Sequence, residues 1–214
     1  MPIVTIRGQR GSGAGKVARL VAEGLHADYV DREIIGKVAV YSRRQEPDIE
    51  AKEMPPATLI GRIAEALGVA GSYGAMDAMA AVYLPGWQLP LSDDQYLTAL
   101  ESVVKKLASG GPLVIRGRGS QFILKDYPGS LHVLTVAPVE IRTKRVMEDL
   151  GIDEESAKRE MANFDDSRKE FVRRYFKADL DDPVHYDLVV NTGRFSEQDA
   201  ASIIVSTCST IVGA

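Results

Sequence analysis

The residues most suited to chemistry are Gly11-Ser12-Gly13-Ala14-Gly15-Lys16, between a β-branched run and an amphipathic run. Glycines let a backbone turn so that successive N–H groups converge, and a following helix N-terminus adds partial positive charge. Such a cradle binds anions, and Lys16 adds a cation suited to β- and γ-phosphates. Set on Gly15-Lys16, the pattern G-x-x-x-x-G-K-[ST] is incomplete: Arg10 replaces its first glycine and Val17 its hydroxyl residue. A ligand-free glycine turn is the plainer alternative. A dinucleotide loop is a third, because Asp31 follows Gly11 by 20 residues, where an acid would hold a ribose. Against it, Gly11, Gly13 and Gly15 alternate instead of following G-x-G-x-x-G, and Lys16 would be superfluous.

Arginines form the second group. Arg118 follows an apolar run at 113–115, and strand C-termini in parallel sheets face the ligand crevice. Arg168 lies four residues after Phe164 and four before Val172, so it shares a helix face with them. A guanidinium on an apolar stripe needs a partner: Asp165 one turn back, or a phosphate held by two hydrogen bonds. Residues 158–177 carry seven basic and four acidic groups, net +3, whereas the rest of the chain sums to −7. That segment suits polyphosphate, or else is a solvated helix laced with i,i+3 and i,i+4 pairs. Trp87, with Tyr83, Pro85 and Pro90, reads as a small local core, a base-stacking wall or a homodimer contact.

These groups need a scaffold. The chain has 214 residues, 45% hydrophobic and 26% charged, which is ordinary for one globular domain carrying an insertion. A formal charge of −4 argues against a general nucleic-acid-binding surface. One cysteine, Cys208, makes no internal disulfide, which points to a reducing cytoplasm. With three histidines besides, a structural zinc site is disfavoured, and no metal ligand is assigned. The first residues show no signal-peptide pattern, and no apolar run nears the ~20 residues of a membrane span.

Short apolar runs at 3–6, 29–30, 113–115, 131–136 and 187–190 predict buried strands. Helical spacing appears over 16–25, 94–108, 139–150, 153–176 and 196–211. Alternating strands and helices predict an α/β fold with a parallel sheet. Residues 32–94 are interrupted by Pro47, Pro55, Pro56, Pro85 and Pro90 and read as an insertion with helical patches at 58–67 and 74–83.

Four stretches resemble the cytidylate kinase-like branch of the P-loop nucleoside monophosphate kinases. They are Val4–Ile6 through Gly13 into Tyr29–Ile35; helix 95–108 into Val114–Gly119; Val136-Ala137-Pro138 with Arg142 and Arg145; and Asp165-x-x-Arg168 with Tyr175, Asp182-Pro183 and Tyr186–Thr192. The resemblance implies a P-loop NTP-hydrolase-like three-layer fold with five parallel strands. Its core would be 1–31, 95–157 and 179–214, with a monophosphate-binding insertion at 32–94 and a lid at 158–178. Residues 32–94 carry the resemblance least.

It further implies transfer of the ATP γ-phosphoryl to CMP, dCMP or a related small acceptor, with magnesium accompanying ATP. ATP phosphates would lie on Gly11, Ser12, Gly13, Ala14, Gly15, Lys16 and Val17. Lys16, Arg168 and Arg173 would neutralise charge on the moving phosphoryl. Arg118 and Arg32 would hold the acceptor phosphate. The family carries Gly-Arg-Asp where this chain has Gly117-Arg118-Gly119, so the aspartate is lacking. Asp31 stands at the mouth of the expected monophosphate site or caps a helix over 32–41, and Arg142 and Arg145 stand beside the expected adenine position or form a solvated helix face. Because Val17 and Gly119 remove oxygens that could order magnesium, a catalytically weak nucleotide-binding regulatory protein is the alternative.

Overall fold

The computed structural model describes residues 1–31, 62–63 and 93–212. In order they form β1 (Ile3–Gly8), α1 (Ala14–Gly24), β2 (Asp28–Val30), α2 (Asp93–Ser109), β3 (Leu113–Arg116), α3 (Ser120–Ile123), β4 (Ser130–Val136), α4 (Val139–Leu150), α5 (Glu154–Phe176), β5 (Leu188–Asn191) and α6 (Glu197–Val212). The five strands form one parallel sheet in the order β2-β3-β1-β4-β5. The expected α/β architecture is therefore present.

By compactness the chain divides into Met1–Tyr29 with Val114–Ala214, and Val30–Leu113. The first unit holds the glycine loop. In its sheet, β1 pairs with β4 from Ile3 opposite Ser130 to Gly8 opposite Thr135, and β4 pairs with β5 from Val133–Leu188 to Val136–Asn191. The carboxyl ends of β1, β4 and β5 therefore lie together, as a ligand crevice in such a sheet requires.

The core of this unit explains its sequence pattern. Val4, Ile6, Leu131, Val133 and Val190 from the strands pack with Val17, Ala18 and Val21 of α1 and Ala200, Ile204 and Cys208 of α6. The α1 residues recur at three- and four-residue spacing, which gives one apolar face. A second small cluster, Val146, Ala157 and Met161, joins α4 to α5. Asp153 caps α5 by accepting from the Ser156 N–H at 2.7 Å. Among the described residues no helix is long and apolar enough to cross a membrane.

In the second unit α2 buries Leu100, Val103, Val104 and Leu107. Arg62 Nη2 donates to Leu107 O at 2.7 Å, and its Nε would lie 2.6 Å from a Cβ on Gly110. Arg62 thus covers the end of α2, where Gly110 leaves room. Most of the insertion lies outside the described residues, including Arg32, Trp87, Tyr83 and most of the two helical patches. Asp31 is described and buried.

Two elements go beyond the pattern. Helix α1 starts at Ala14, two residues before the predicted segment 16–25, because Gly13 serves as its cap in a left-handed conformation, φ 76°. The four-residue α3 follows Gly117, Arg118 and Gly119, all left-handed at φ 82°, 62° and 64°. A single helical turn carries no periodic signal.

Candidate active site around the glycine loop

The loop joins Gly8 at the end of β1 to Ala14 at the start of α1. Gly8 has no room for a side chain, since a Cβ there would collide with Thr135 Oγ1, Ser12 Oγ and Ala14. Inside this turn the Ser12 and Thr135 hydroxyls bond each other at 2.9 Å, both fully buried. The Ser12 N–H donates to Gln9 O at 3.0 Å.

Loop carbonyls are held from outside. Arg142 Nη1 donates to Arg10 O at 3.2 Å, and Arg145 Nη1 to Gly11 O at 3.3 Å. The Thr192 hydroxyl, buried after β5, donates to Ser12 O at 2.7 Å. Asp165 of α5 accepts from the Arg10 N–H at 2.9 Å and from Arg142 Nη1 at 3.0 Å. Arg142 is only 13% exposed, so its guanidinium and the Asp165 carboxylate form a half-buried brace, not a solvated face. Arg142 and Arg145 are therefore loop-holding residues. The i,i+3 spacing puts both on one face of α4, whereas their carbonyl partners leave no sign in the sequence.

This geometry admits a second register of the phosphate pattern. Gly8 and Gly13 are separated by four residues and bracket the turn, which is G-x-x-x-x-G. Ala14 and Gly15 then fall where the pattern has Lys and Ser or Thr. Lys16 is the third residue of α1; its side chain is 70% exposed and its Nζ stands 3.8 Å from Glu197 Oε1. Glu197 Oε1 would lie 2.9 Å from a Cβ on Gly13, so this carboxylate borders the loop. Val17, the hydroxyl position in the other register, is fully buried core.

The other predicted arginines stand on α5 and in the turn after β3. Arg168 lies over the Phe164 ring and donates to Phe164 O at 3.1 Å, while the carboxylate of Asp165 goes to Arg142. Arg10 also approaches Phe164, 5.3 Å from its centroid. Arg173 is exposed and pairs with Glu170. With Lys169 and Lys177 it lines a cavity of about 590 Å³ at the end of α5. Arg118 takes its left-handed backbone between two glycines, where the turn after β3 presents it.

The same unit buries two further groups of polar side chains. His132 Nδ1 and Thr5 Oγ1 are 2.8 Å apart, and the His132 backbone N–H donates to Asp187 Oδ2 at 2.7 Å. Burial pushes the imidazole below its usual value, against the pull of Asp187. Tyr186 donates to Leu180 O at 2.8 Å and accepts from Gln121 at 3.3 Å. Burial pushes this phenol up to about 12.

Comparisons agree with this fold. A model of the cytidylate kinase-like family matches residues 3–194. A uronate isomerase of Corynebacterium glutamicum is 30% identical over 105 residues, covering 49% of this chain and 20% of that protein. The cytidylate kinase of Methanopyrus kandleri is 31% identical over 108 residues, covering 47% of this chain and 56% of that protein. The chain thus spans a fifth of the first relative and about half of the second. The crystal structure of an uncharacterized protein from Eubacterium ventriosum superposes with a TM-score of 0.68 at 21% identity, over 98% of this chain and 99% of that one, and so shares the fold. With its five-stranded parallel sheet and a family match over nearly its full length, the chain belongs to the cytidylate kinase-like family.

Proposed function

We propose that the protein is a nucleoside monophosphate kinase-like phosphotransferase, moving the γ-phosphoryl of ATP to CMP, dCMP or a related small acceptor. The observation that carries this reading is the braced loop. Arg142, Arg145 and Thr192 take up the carbonyls of Arg10, Gly11 and Ser12. The first N–H groups of any helix have no acceptor inside it, so the start of α1 can receive phosphate oxygens.

ATP phosphates lie along Gly11–Val17 in this reading. Lys16 contributes charge from the first turn of α1 once it leaves Glu197. Arg168 and Arg173 neutralise charge on the moving phosphoryl from α5, and Arg118 holds the acceptor. The same role for Arg32 rests on sequence alone. Phosphoryl transfer of this kind depends on positioning and charge more than on covalent catalysis. The loop does not fit a protein-held magnesium ion in either register: Val17 is buried and apolar, and Ala14 and Gly15 carry no hydroxyl. No step is assigned to that ion.

The test is ADP release with ATP, magnesium and CMP, dCMP, UMP, AMP or GMP, beside Lys16→Ala. The expected result is turnover with one acceptor, lowered about tenfold or more in the variant. A folded protein that turns over none of them overturns the kinase reading. Unchanged turnover in Lys16→Ala removes Lys16 from it. The absence of Lys and Ser or Thr at Ala14 and Gly15 favours a second reading, a nucleotide-binding regulatory protein with a degenerate loop. Calorimetry separates the two: ATP binding indifferent to magnesium, without turnover, supports the binder.

A further inference from the structure

We propose that Arg116 is a further cation, beside Lys16, that holds nucleotide phosphates at the glycine loop, in place of the lysine that the loop lacks in its Gly8–Gly13 register. This deepens the nucleotide-binding reading above and rests on it. Arg116 is the last residue of β3. The next N–H, that of Gly117, donates to Ile6 O at 3.2 Å, so the end of β3 is fastened to the strand that feeds the loop. A Cβ built on Gly15 would stand 2.8 Å from Arg116 Nη1 and 3.6 Å from its Cζ. The guanidinium therefore lies against the first turn of α1, on the very residue where the pattern expects Ser or Thr.

Gly15 itself supports the assignment. It sits within α1 and has no left-handed φ, so its backbone does not require glycine. Glycine is a poor helix former, and alanine would serve the helix better. What glycine provides here is the space that Arg116 fills. A guanidinium suits the task, being permanently charged and offering a planar fork of donors that phosphate accepts two at a time. Lys16, by contrast, is exposed and faces Glu197. The ligand class is the polyphosphate of a nucleoside triphosphate, and the contact needs no metal-binding hydroxyl.

The test is calorimetric titration of the full chain with ATP, in EDTA and again with magnesium, for wild type, Arg116→Gln, Arg116→Lys and Gly15→Ala. Thermal unfolding of each accompanies it. Arg116→Gln is expected to weaken binding about ten- to a hundredfold in both conditions, with Arg116→Lys between it and wild type. Gly15→Ala should displace the guanidinium and weaken binding while its unfolding midpoint stays at or above that of wild type. Wild-type affinity in Arg116→Gln or in Gly15→Ala overturns the proposal. If Arg116→Gln fails to fold, Gly15→Ala, which keeps Arg116, decides alone. A wild-type protein that binds no ATP in either condition overturns the nucleotide reading itself, which is a different outcome from binding that ignores Arg116.

Discussion

Phe176, the last residue of α5, places its ring where Gly119 has no side chain: a Cβ on Gly119 would stand 2.7 Å from Phe176 Cζ. Phe176 also stacks on Phe122 of α3, with centroids 5.0 Å apart. The absence of a side chain at Gly119 thus makes room for an aromatic contact that ties α5 to the turn after β3.

Gly119→Ala should therefore destabilise twice over. It forces a side chain into the Phe176 ring and puts a non-glycine residue at φ 64°. The expected cost is about 2–3 kcal/mol in urea unfolding. In a Phe176→Ala background the same substitution should cost only the backbone part, about 1 kcal/mol. An equal cost in both backgrounds would mean that the ring is not what glycine accommodates.

The same turn separates function from stability at Arg118. Its φ of 62° strains any residue with a Cβ. Arg118→Gly and Arg118→Ala both remove the guanidinium, so both should lower turnover alike if Arg118 holds the acceptor. They should differ in stability, the glycine variant being more stable by about 1 kcal/mol. Measured side by side, the pair reports the strain free of lost side-chain contacts.

Much of the scaffold was legible because it rests on short-range patterns. Apolar runs such as Leu131–Val136 mark strands buried on both faces, and the spacing of Val17 and Val21 marks the inward face of α1. The loop was legible as a loop, but its register was not. Periodicity begins at Val17, whereas the helix begins at Ala14, because Gly13 caps it without any side chain. Pairings across the fold were equally hidden. Asp165 lies one turn from Arg168, so local spacing suggested that pair, yet its carboxylate reaches Arg142 on α4, 23 residues away. Such a choice is made by tertiary packing and leaves no trace in spacing.

Glu197 supplies a test of the loop's electrostatics. Its Oε1, 3.8 Å from Lys16 Nζ and beside Gly13, is a negative charge at the edge of the proposed phosphate site. Glu197→Gln removes the repulsion and releases Lys16. ATP binding by calorimetry should tighten about three- to tenfold, and the gain should shrink at high salt. Unchanged affinity would show that the carboxylate lies outside the field of the bound phosphates.

His132 should make stability depend on pH. Its folded imidazole titrates below the ordinary value of about 6.5, so the unfolded chain takes up a proton first as pH falls. Its contribution is complete above that value, shrinks as pH drops through it, and stops changing below the depressed folded value. His132→Gln removes this part of the slope. The drop in unfolding free energy between about pH 7.5 and about pH 5 should be smaller in the variant than in wild type. Equal drops would assign the acid sensitivity to carboxylates alone.

Arg7 and Asp181 give the sharpest stability prediction. Arg7 is 6% exposed, and its Nη2 stands 3.1 Å from Asp181 Oδ1. Asp181 also binds Lys169 Nζ at 2.8 Å, so one carboxylate serves a buried and an exposed cation. Removing it leaves a guanidinium buried without its counter-charge, which costs more than the pair itself contributes. Asp181→Asn should lower the unfolding free energy by about 2–4 kcal/mol, read from urea titration. Arg7→Met added to Asp181→Asn should restore a large part of that loss, because a long apolar side chain tolerates the same burial. If the double variant is no more stable than Asp181→Asn, the loss belongs to Lys169 and the segment around Asp181 and owes nothing to the buried Arg7.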